Sequence, residues 1–254
     1  MTGVPDLLLA ALAALLAGAI NALAGGGTLV TFPALLALGV PAVAANVTNT
    51  VALCPGYVGG TLAQRADLRG QGARLWRVLP AAALGGVLGG WLLLESGEKL
   101  FRGLVPWLIL AASLLLAAQG PVRAWLGRRL GQGGGEHLER VTWLPVGLAA
   151  VYGGYFGAGL SVIVLAALGL SSRDSLPRLN AAKQAIALVV NAAAAVYFLF
   201  SDHVVWTLAA AMAVGALGGG ALGGKLAGRL PPAVLRWTVV GTGLAVSAAY
   251  FAKG

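Results

Sequence analysis

Leu88-Gly89-Gly90-Trp91-Leu92 returns as Leu222-Gly223-Gly224-Lys225-Leu226, and Asn46-x-x-Asn49 returns as Asn180-x-x-Lys183, both pairs 134 residues apart. Upstream, Leu36-Ala37-Leu38-Gly39 returns as Ala166-Ala167-Leu168-Gly169 at a spacing of 130, so the second half gains four residues between these landmarks. Similarity at a fixed offset marks an internal duplication. Here the duplicated unit is apolar, with polar residues at matching places, as in the repeated halves of many membrane carriers.

Composition agrees with that reading. The 254 residues are 59% hydrophobic and only 10% charged, and the mean hydropathy is +0.87, values that predict an integral membrane protein. Most of the 39 glycines sit inside apolar stretches, where small residues let helices approach closely in lipid. The seven Trp and five Tyr fall largely near segment ends, as in an interfacial belt. A net charge of +9 is spread over inter-helix loops, which argues against a nucleic-acid surface. Cys54 has no internal partner for a disulfide, and Met1 to Asp6 lacks a positive n-region, so the first apolar stretch reads as a retained helix.

Apolar runs between polar breaks predict an all-α membrane fold of two inverted-topology repeats. Each is a glycine-broken helical hairpin followed by three transmembrane helices. The first repeat (1–122) reads as 5–23, 28–38, 42–63, 75–94 and 103–120. A cytoplasmic linker, 123–141, carries Gly131 and Gly133-Gly134-Gly135. The second repeat (142–254) reads as 142–155, 159–170, 179–200, 204–224 and 236–251. Five segments per repeat, an odd number, invert the second copy. The arginines agree: Arg65, Arg69, Arg74 and Arg77 mark one loop, whose counterpart holds only Asp202 and His203. With cytoplasmic loops basic, 13 of the 17 Lys and Arg lie inside, and both termini are extracytoplasmic. An eleven-residue segment rises only about 16 Å as a helix, against a hydrocarbon core of about 30 Å. The broken pairs therefore either re-enter on one face or join a long helix to a short one, and they line a wet path.

Lys183 stands out because it lies in an apolar run from Asn180 to Phe200 with no neighbouring acid. Either it meets an anionic substrate, or it snorkels to an interface one turn away. Its counterpart at the same depth is polar, Asn49, which favours the first. Asn46, Asn49 and Thr50 in one repeat correspond to Asn180, Lys183 and Gln184 in the other, and each trio shares a helical face. Together they offer neutral donors and one cation to a small oxyanion; the same amides also serve as interhelical glue. Gly25-Gly26-Gly27-Thr28 and Gly157-Ala158-Gly159 break the hairpins and present backbone N–H groups at the start of a half-helix, where anions bind; close packing is the other use of such glycines. The eight carboxylates fall in loops or at segment ends, which predicts no acid relay and no cation cage. His137 and His203 lie in loops, no phosphate-binding loop is present, and Cys54 and Ser161 lack a partner base. No enzyme, metal or cofactor is expected.

The stretch Ala24-Gly25-Gly26-Gly27 leading to Pro33, then Asn46-x-x-Asn49, then the second glycine break followed by Asn180-Ala-Ala-Lys183, resembles the TauE/SafE sulfite exporter family over nearly the whole chain. The second copy departs from the pattern in lacking a proline equivalent to Pro33. The resemblance implies a multi-pass permease of the bacterial inner membrane that carries sulfite, sulfonates or related anions. A carrier of another anion, an anion channel and an intramembrane enzyme are the competing classes.

Overall fold

The computed structural model describes residues 3–23, 25–129, 140–172, 174–226 and 232–253. The linker's glycine run with Glu136, His137 and Glu139 lies outside the described residues, as do Ala24, Arg173 and Arg229. Among the described residues the chain is helical. In order these are α1 (Val4–Leu23), α2 (Thr28–Ala37), α3 (Ala42–Ala63), the one-turn α4 (Arg65–Leu68) and α5 (Gly72–Arg129), then α6 (Trp143–Tyr155), α7 (Leu160–Ser171), α8 (Leu176–Phe198), α9 (Trp206–Leu226) and α10 (Pro232–Lys253).

Most boundaries fall within a few residues of the expected segments, and α5 is where sequence and structure part. Two helices with a loop over 95–102 were expected. Instead α5 is interrupted at Gly97 alone, whose φ of 66° and ψ of 170° kink it into two arms. Glu95, Glu98 and Lys99 favour helix, and a glycine at positive φ turns the chain without a loop. The second arm also runs through Gly120-Pro121 to Arg129, past the expected end at 120. Around the kink, the Glu98 carboxylate accepts hydrogen bonds from the N–H groups of Ala42 (2.6 Å) and Val43 (2.9 Å), capping α3 with negative charge.

Glycines set how the long helices meet. A Cβ on Gly215 would stand 2.1 Å from the Ala11 carbonyl oxygen, and one on Gly219 would stand 1.9 Å from that of Leu15, so α1 and α9 run parallel in contact. α6 meets the first arm of α5 in the same way, with Gly147 O against Gly85 and Val151 O against Gly89. Gly86 faces the Val190 carbonyl of α8, and Gly220 faces the Gly56 carbonyl of α3. α3 and α8 run antiparallel. Asn180 donates to Gln64 Oε1 (2.6 Å) at one end, and Thr48 Oγ1 accepts from Val205 N (2.9 Å) at the other.

The bundle is apolar outside, and its apolar core also holds a set of buried polar side chains. Leu8, Leu12, Leu16, Leu84, Leu148 and Val214 are exposed, as are Trp76, Trp107, Trp143 and Trp206, whereas Asn46, Thr48, Asn49, Lys183, Gln184 and Asn191 are buried. Water would not tolerate that arrangement; lipid requires it. Among the described residues four helices, α1, α5, α8 and α9, are long and apolar enough to cross a membrane, while α2 and α7 are apolar but short. α3 has the length of a span, and its polar residues face inward.

The contrast between neighbouring glycines is testable. Gly219→Ala forces a Cβ into the α1 backbone and is expected to cost about 1–3 kcal/mol, read as a lower Tm in detergent. Gly218→Ala, with nothing within 4 Å, is expected to leave Tm unchanged.

Candidate substrate site

Both hairpin breaks rest on the second arm of α5. A Cβ on Gly26 would meet Leu116, and one on Gly159 would meet Leu115 and Ala112. The breaks also touch each other, since a Cβ on Gly25 would stand 2.5 Å from Ser161 Cβ. Gly25, Gly26, Gly157 and Gly159 all have positive φ, a conformation that glycine alone adopts at little cost. Backbone groups freed there find partners. Gly25 N–H donates to Ile20 O (2.8 Å), Gly27 N–H to Asn21 Oδ1 (2.7 Å), Gly157 N–H to Tyr152 O (3.3 Å), and Ala158 O accepts from the Tyr152 hydroxyl (2.6 Å). In this conformation three of the glycine amides expected to face an anion serve the fold.

The expected constellation divides into two groups at opposite ends of the antiparallel α3–α8 pair. Near the first break, Asn49 Oδ1 accepts a short hydrogen bond from the Thr31 hydroxyl, and its Nδ2 donates to Thr28 Oγ1 (3.4 Å). Asn46 Nδ2 donates to the Tyr155 carbonyl (2.8 Å), while its Oδ1 has no partner. Thr50 Oγ1 donates to the Asn46 carbonyl of its own helix (3.0 Å). Over this group sits an aromatic plug. Phe32 packs edge-on against Phe156 at 5.4 Å and Phe101 at 6.2 Å, and Phe101 meets Tyr155 at 5.6 Å. Phe32, Phe101 and Phe156 are buried.

The second group is short of partners. Lys183 has no exposed surface, and its Nζ makes no hydrogen bond; both amide atoms of Gln184 are likewise buried and unpaired. Gln184 reaches α3, where a Cβ on Gly60 would stand 2.5 Å from its Nε2. One turn before Lys183, Asn180 Oδ1 accepts from Arg123 Nη2 of α5 (3.4 Å) while its amide donates to Gln64. Arg123 is within electrostatic reach of Lys183 and of Arg236 on α10. Sequence reasoning put Arg123 in the linker at 123–141 and Arg236 at the start of the last segment, 236–251; in the structure Arg123 lies on α5 and Arg236 on α10. Helical spacing from Leu116 through Gln119 to Arg123 was the available signal.

Beyond this group a clasp joins α7, α8 and α5. Asp174 accepts from Arg74 (2.8 Å) and Arg178 (2.6 Å), Arg74 also donates to Ser172 Oγ (2.6 Å), and Arg178 donates to the Arg69 carbonyl (2.8 Å). Partial burial pushes the Asp174 carboxyl up, but its bonds to Arg74 and Arg178 outweigh this and hold it below the usual carboxylate range. Lys183 lies between the plug and the clasp, shut off from both sides. No group of His, Cys, Asp and Glu among the described residues is placed to hold a metal.

A helical bundle with a lipid-like exterior and buried, under-satisfied polar groups on several helices is a multi-pass membrane protein. The family described as Sulfite exporter TauE/SafE matches residues 10–250. The chain belongs to this family of membrane transporters. Relatives include a "Probable membrane transporter protein" of Haemophilus influenzae, 28% identical over 82% of this chain and 79% of its own length. Another is "Probable membrane transporter protein ORF9" of Sinorhizobium sp, 27% identical over 85% and 80%. A third, "Probable membrane transporter protein YfcA" of Escherichia coli K12, is 26% identical over 84% and 77%. No solved structure matches the chain.

Two expectations follow for stability. An unpaired buried ammonium opposes folding, so Lys183→Met is expected to raise Tm, by the equivalent of about 1–3 kcal/mol; a lower Tm would mean that the ammonium is satisfied. Asp174 has a lowered folded pKa, so its contribution is complete above the ordinary carboxylate value of about 3.9 and is lost as pH falls through the folded value. Asp174→Asn is therefore expected to lower stability by about 1–2 kcal/mol near neutral pH, with the gap to wild type closing only below about pH 4 in thermal melts.

Proposed function

We propose that this chain is a secondary transporter or uniporter that exports a small sulfur-containing anion, of the sulfite or sulfonate class, across the bacterial inner membrane. Lys183 is the charge partner of the substrate, and Asn180, Gln184, Asn46, Asn49, Thr50 and Thr28 supply donors along its path, joined by the breaks at Gly25, Gly26, Gly27, Gly157 and Gly159. The observation that carries this reading is the full burial of the Lys183 Nζ without a hydrogen-bond partner. A snorkelling lysine would reach water, and a structural one would have an acceptor. An anion supplies the missing acceptors and cancels the charge. Export needs no coupling ion in principle, since an inside-negative potential drives each negative charge outward by about 2.3 kcal/mol per 100 mV.

The architecture of the proposal is two inverted repeats, expected over 1–122 and 142–254, with both termini extracytoplasmic and a cytoplasmic linker that was expected at 123–141 and starts only after α5 ends at Arg129. Its support is the antiparallel course of the equivalent helices α3 and α8, and the reciprocal contacts of Gly86 with Val190 and of Gly220 with Gly56, in which Gly220 corresponds to Gly86 and Val190 to Gly56 at the same offset of 134 residues. Alternating access then consists of opening the aromatic plug or the Asp174 clasp in turn around Lys183.

Proteoliposomes loaded with sulfite and held at an inside-negative potential test this directly. Saturable efflux above protein-free vesicles is expected, falling at least about tenfold in Lys183→Ala. Wild-type flux in folded Lys183→Ala would remove the charge-partner role, and non-saturating flux would make the protein a channel.

A further inference from the structure

Beside Lys183 lies a group with a different demand. Gln184 has no exposed surface, and both atoms of its amide, Nε2 and Oε1, are buried without a hydrogen-bond partner. Its place is made by α3. A Cβ on Gly60 would stand 2.5 Å from Gln184 Nε2, so the missing side chain at Gly60 is what lets the amide lie there. One turn away the same two helices are joined by Asn180 Nδ2 donating to Gln64 Oε1 at 2.6 Å, which fixes their register. Lys183 and Gln184 are consecutive, with Cα atoms about 3.8 Å apart, and both follow Asn180 by one turn on the same side of α8. An ammonium only donates, whereas an amide donates at one atom and accepts at the other. Because neither amide atom is paired, exchanging N and O leaves that demand unchanged. A second acceptor along the proposed path also lacks a donor. It is Asn46 Oδ1, whose orientation is set by Nδ2 donating to the Tyr155 carbonyl (2.8 Å).

We infer that Gln184 selects anions that carry a hydrogen-bond donor of their own, the class of singly charged hydrogen oxyanions, and that Gly60 positions its amide for this. This rests on the proposed transport function and adds the form of the substrate to it. An anion with acceptor oxygens alone meets Lys183 Nζ and Gln184 Nε2 but leaves Oε1 buried and unpaired. An anion that also has an O–H group donates to Oε1 and satisfies both side chains. One negative charge then matches the one ammonium. Among sulfur oxyanions the match is hydrogensulfite in its O-protonated form rather than an unsubstituted alkanesulfonate. At the other end of α3 the same donor serves Asn46 Oδ1. Lys183 supplies affinity for any anion, and Gln184 is the specificity-determining residue.

The test is calorimetric titration of the purified full-length protein in detergent, at neutral pH and fixed ionic strength, with sodium sulfamate and sodium methanesulfonate. The two anions have the same charge, nearly the same shape and three oxygens each. They differ in that sulfamate carries N–H donors where methanesulfonate has a methyl group. Sulfamate is expected to bind at least about tenfold more tightly, because a site built to accept a donor rejects the analogue that lacks it. Gln184→Met, of similar size and without the amide, is expected to bring that ratio towards one. Gly60→Ala is expected to do the same with Gln184 still present, because it displaces the amide. Lys183→Met is expected to weaken both anions alike and leave the ratio standing. Variants are compared only where gel filtration and thermal melts show folded protein, and Gly60→Ala carries the assignment if Gln184→Met does not fold. Equal affinities in wild type, or a ratio unchanged in Gln184→Met or Gly60→Ala, would overturn the selection by Gln184 while Lys183-dependent binding left the transport reading intact. If folded wild type binds neither anion, both the selection and the anion-transport reading fall.

Discussion

Placing a charged amine inside a bundle that lipid surrounds is the most expensive act in this fold, and the rest of the structure is arranged around it. Lys183 sits on α8 among Ala181, Ala182 and Ile186, all buried, and its Nζ makes no hydrogen bond, not even to the unpaired Oε1 of the adjacent Gln184. Such a charge is tolerable only if it is compensated for part of its working life. In the proposed function a passing anion does that; the Gln184 amide and the Arg236 Nε are also left without partners.

The second constraint is the backbone. Where α1 and α6 end inside the bundle, the chain needs partners for groups that no water can reach. The two breaks solve this by resting against each other at Gly25 and Ser161 and by recruiting Asn21 and Tyr152. Around them, glycines in α5 and α9 bring backbones into direct contact with α6 and α1. Close contact of this kind holds the long helices as rigid pairs. The short α2 carries Phe32 of the aromatic plug and the short α7 leads into the Asp174 clasp, so the short elements are next to both groups that bound the Lys183 compartment.

Much of this was legible in the sequence because lipid imposes simple rules. Apolar runs gave the helices to within a few residues, the spacing of Asn180, Lys183 and Gln184 put them on one face, and the glycine runs marked real breaks. What was not legible came from tolerance that the membrane allows. Gly120-Pro121 reads as a helix stop, yet α5 continues through it, carrying Arg123 out of the supposed linker and up to Asn180. Glu95 to Arg102 reads as a loop, yet a single positive φ at Gly97 suffices. The expected meeting of both Asn trios in one cavity also depends on distance along the bundle. Because α3 and α8 are antiparallel, residues at equal steps from their helix starts stand at opposite ends, and Asn49 is satisfied by Thr28 and Thr31 rather than by its counterpart.

The central claim is that the charge on Lys183, not its size or shape, is what the substrate meets. It is tested most directly by chemical restoration in a Cys54→Ala background. Lys183→Cys protein is alkylated with 2-bromoethylamine, which rebuilds a lysine-like ammonium through a thioether, or with iodoacetamide, which leaves a neutral amide, and sulfite efflux from proteoliposomes is then compared. The account predicts efflux recovered by the amine and absent with the amide. Equal efflux from the two forms, or from the unmodified thiol, would contradict it.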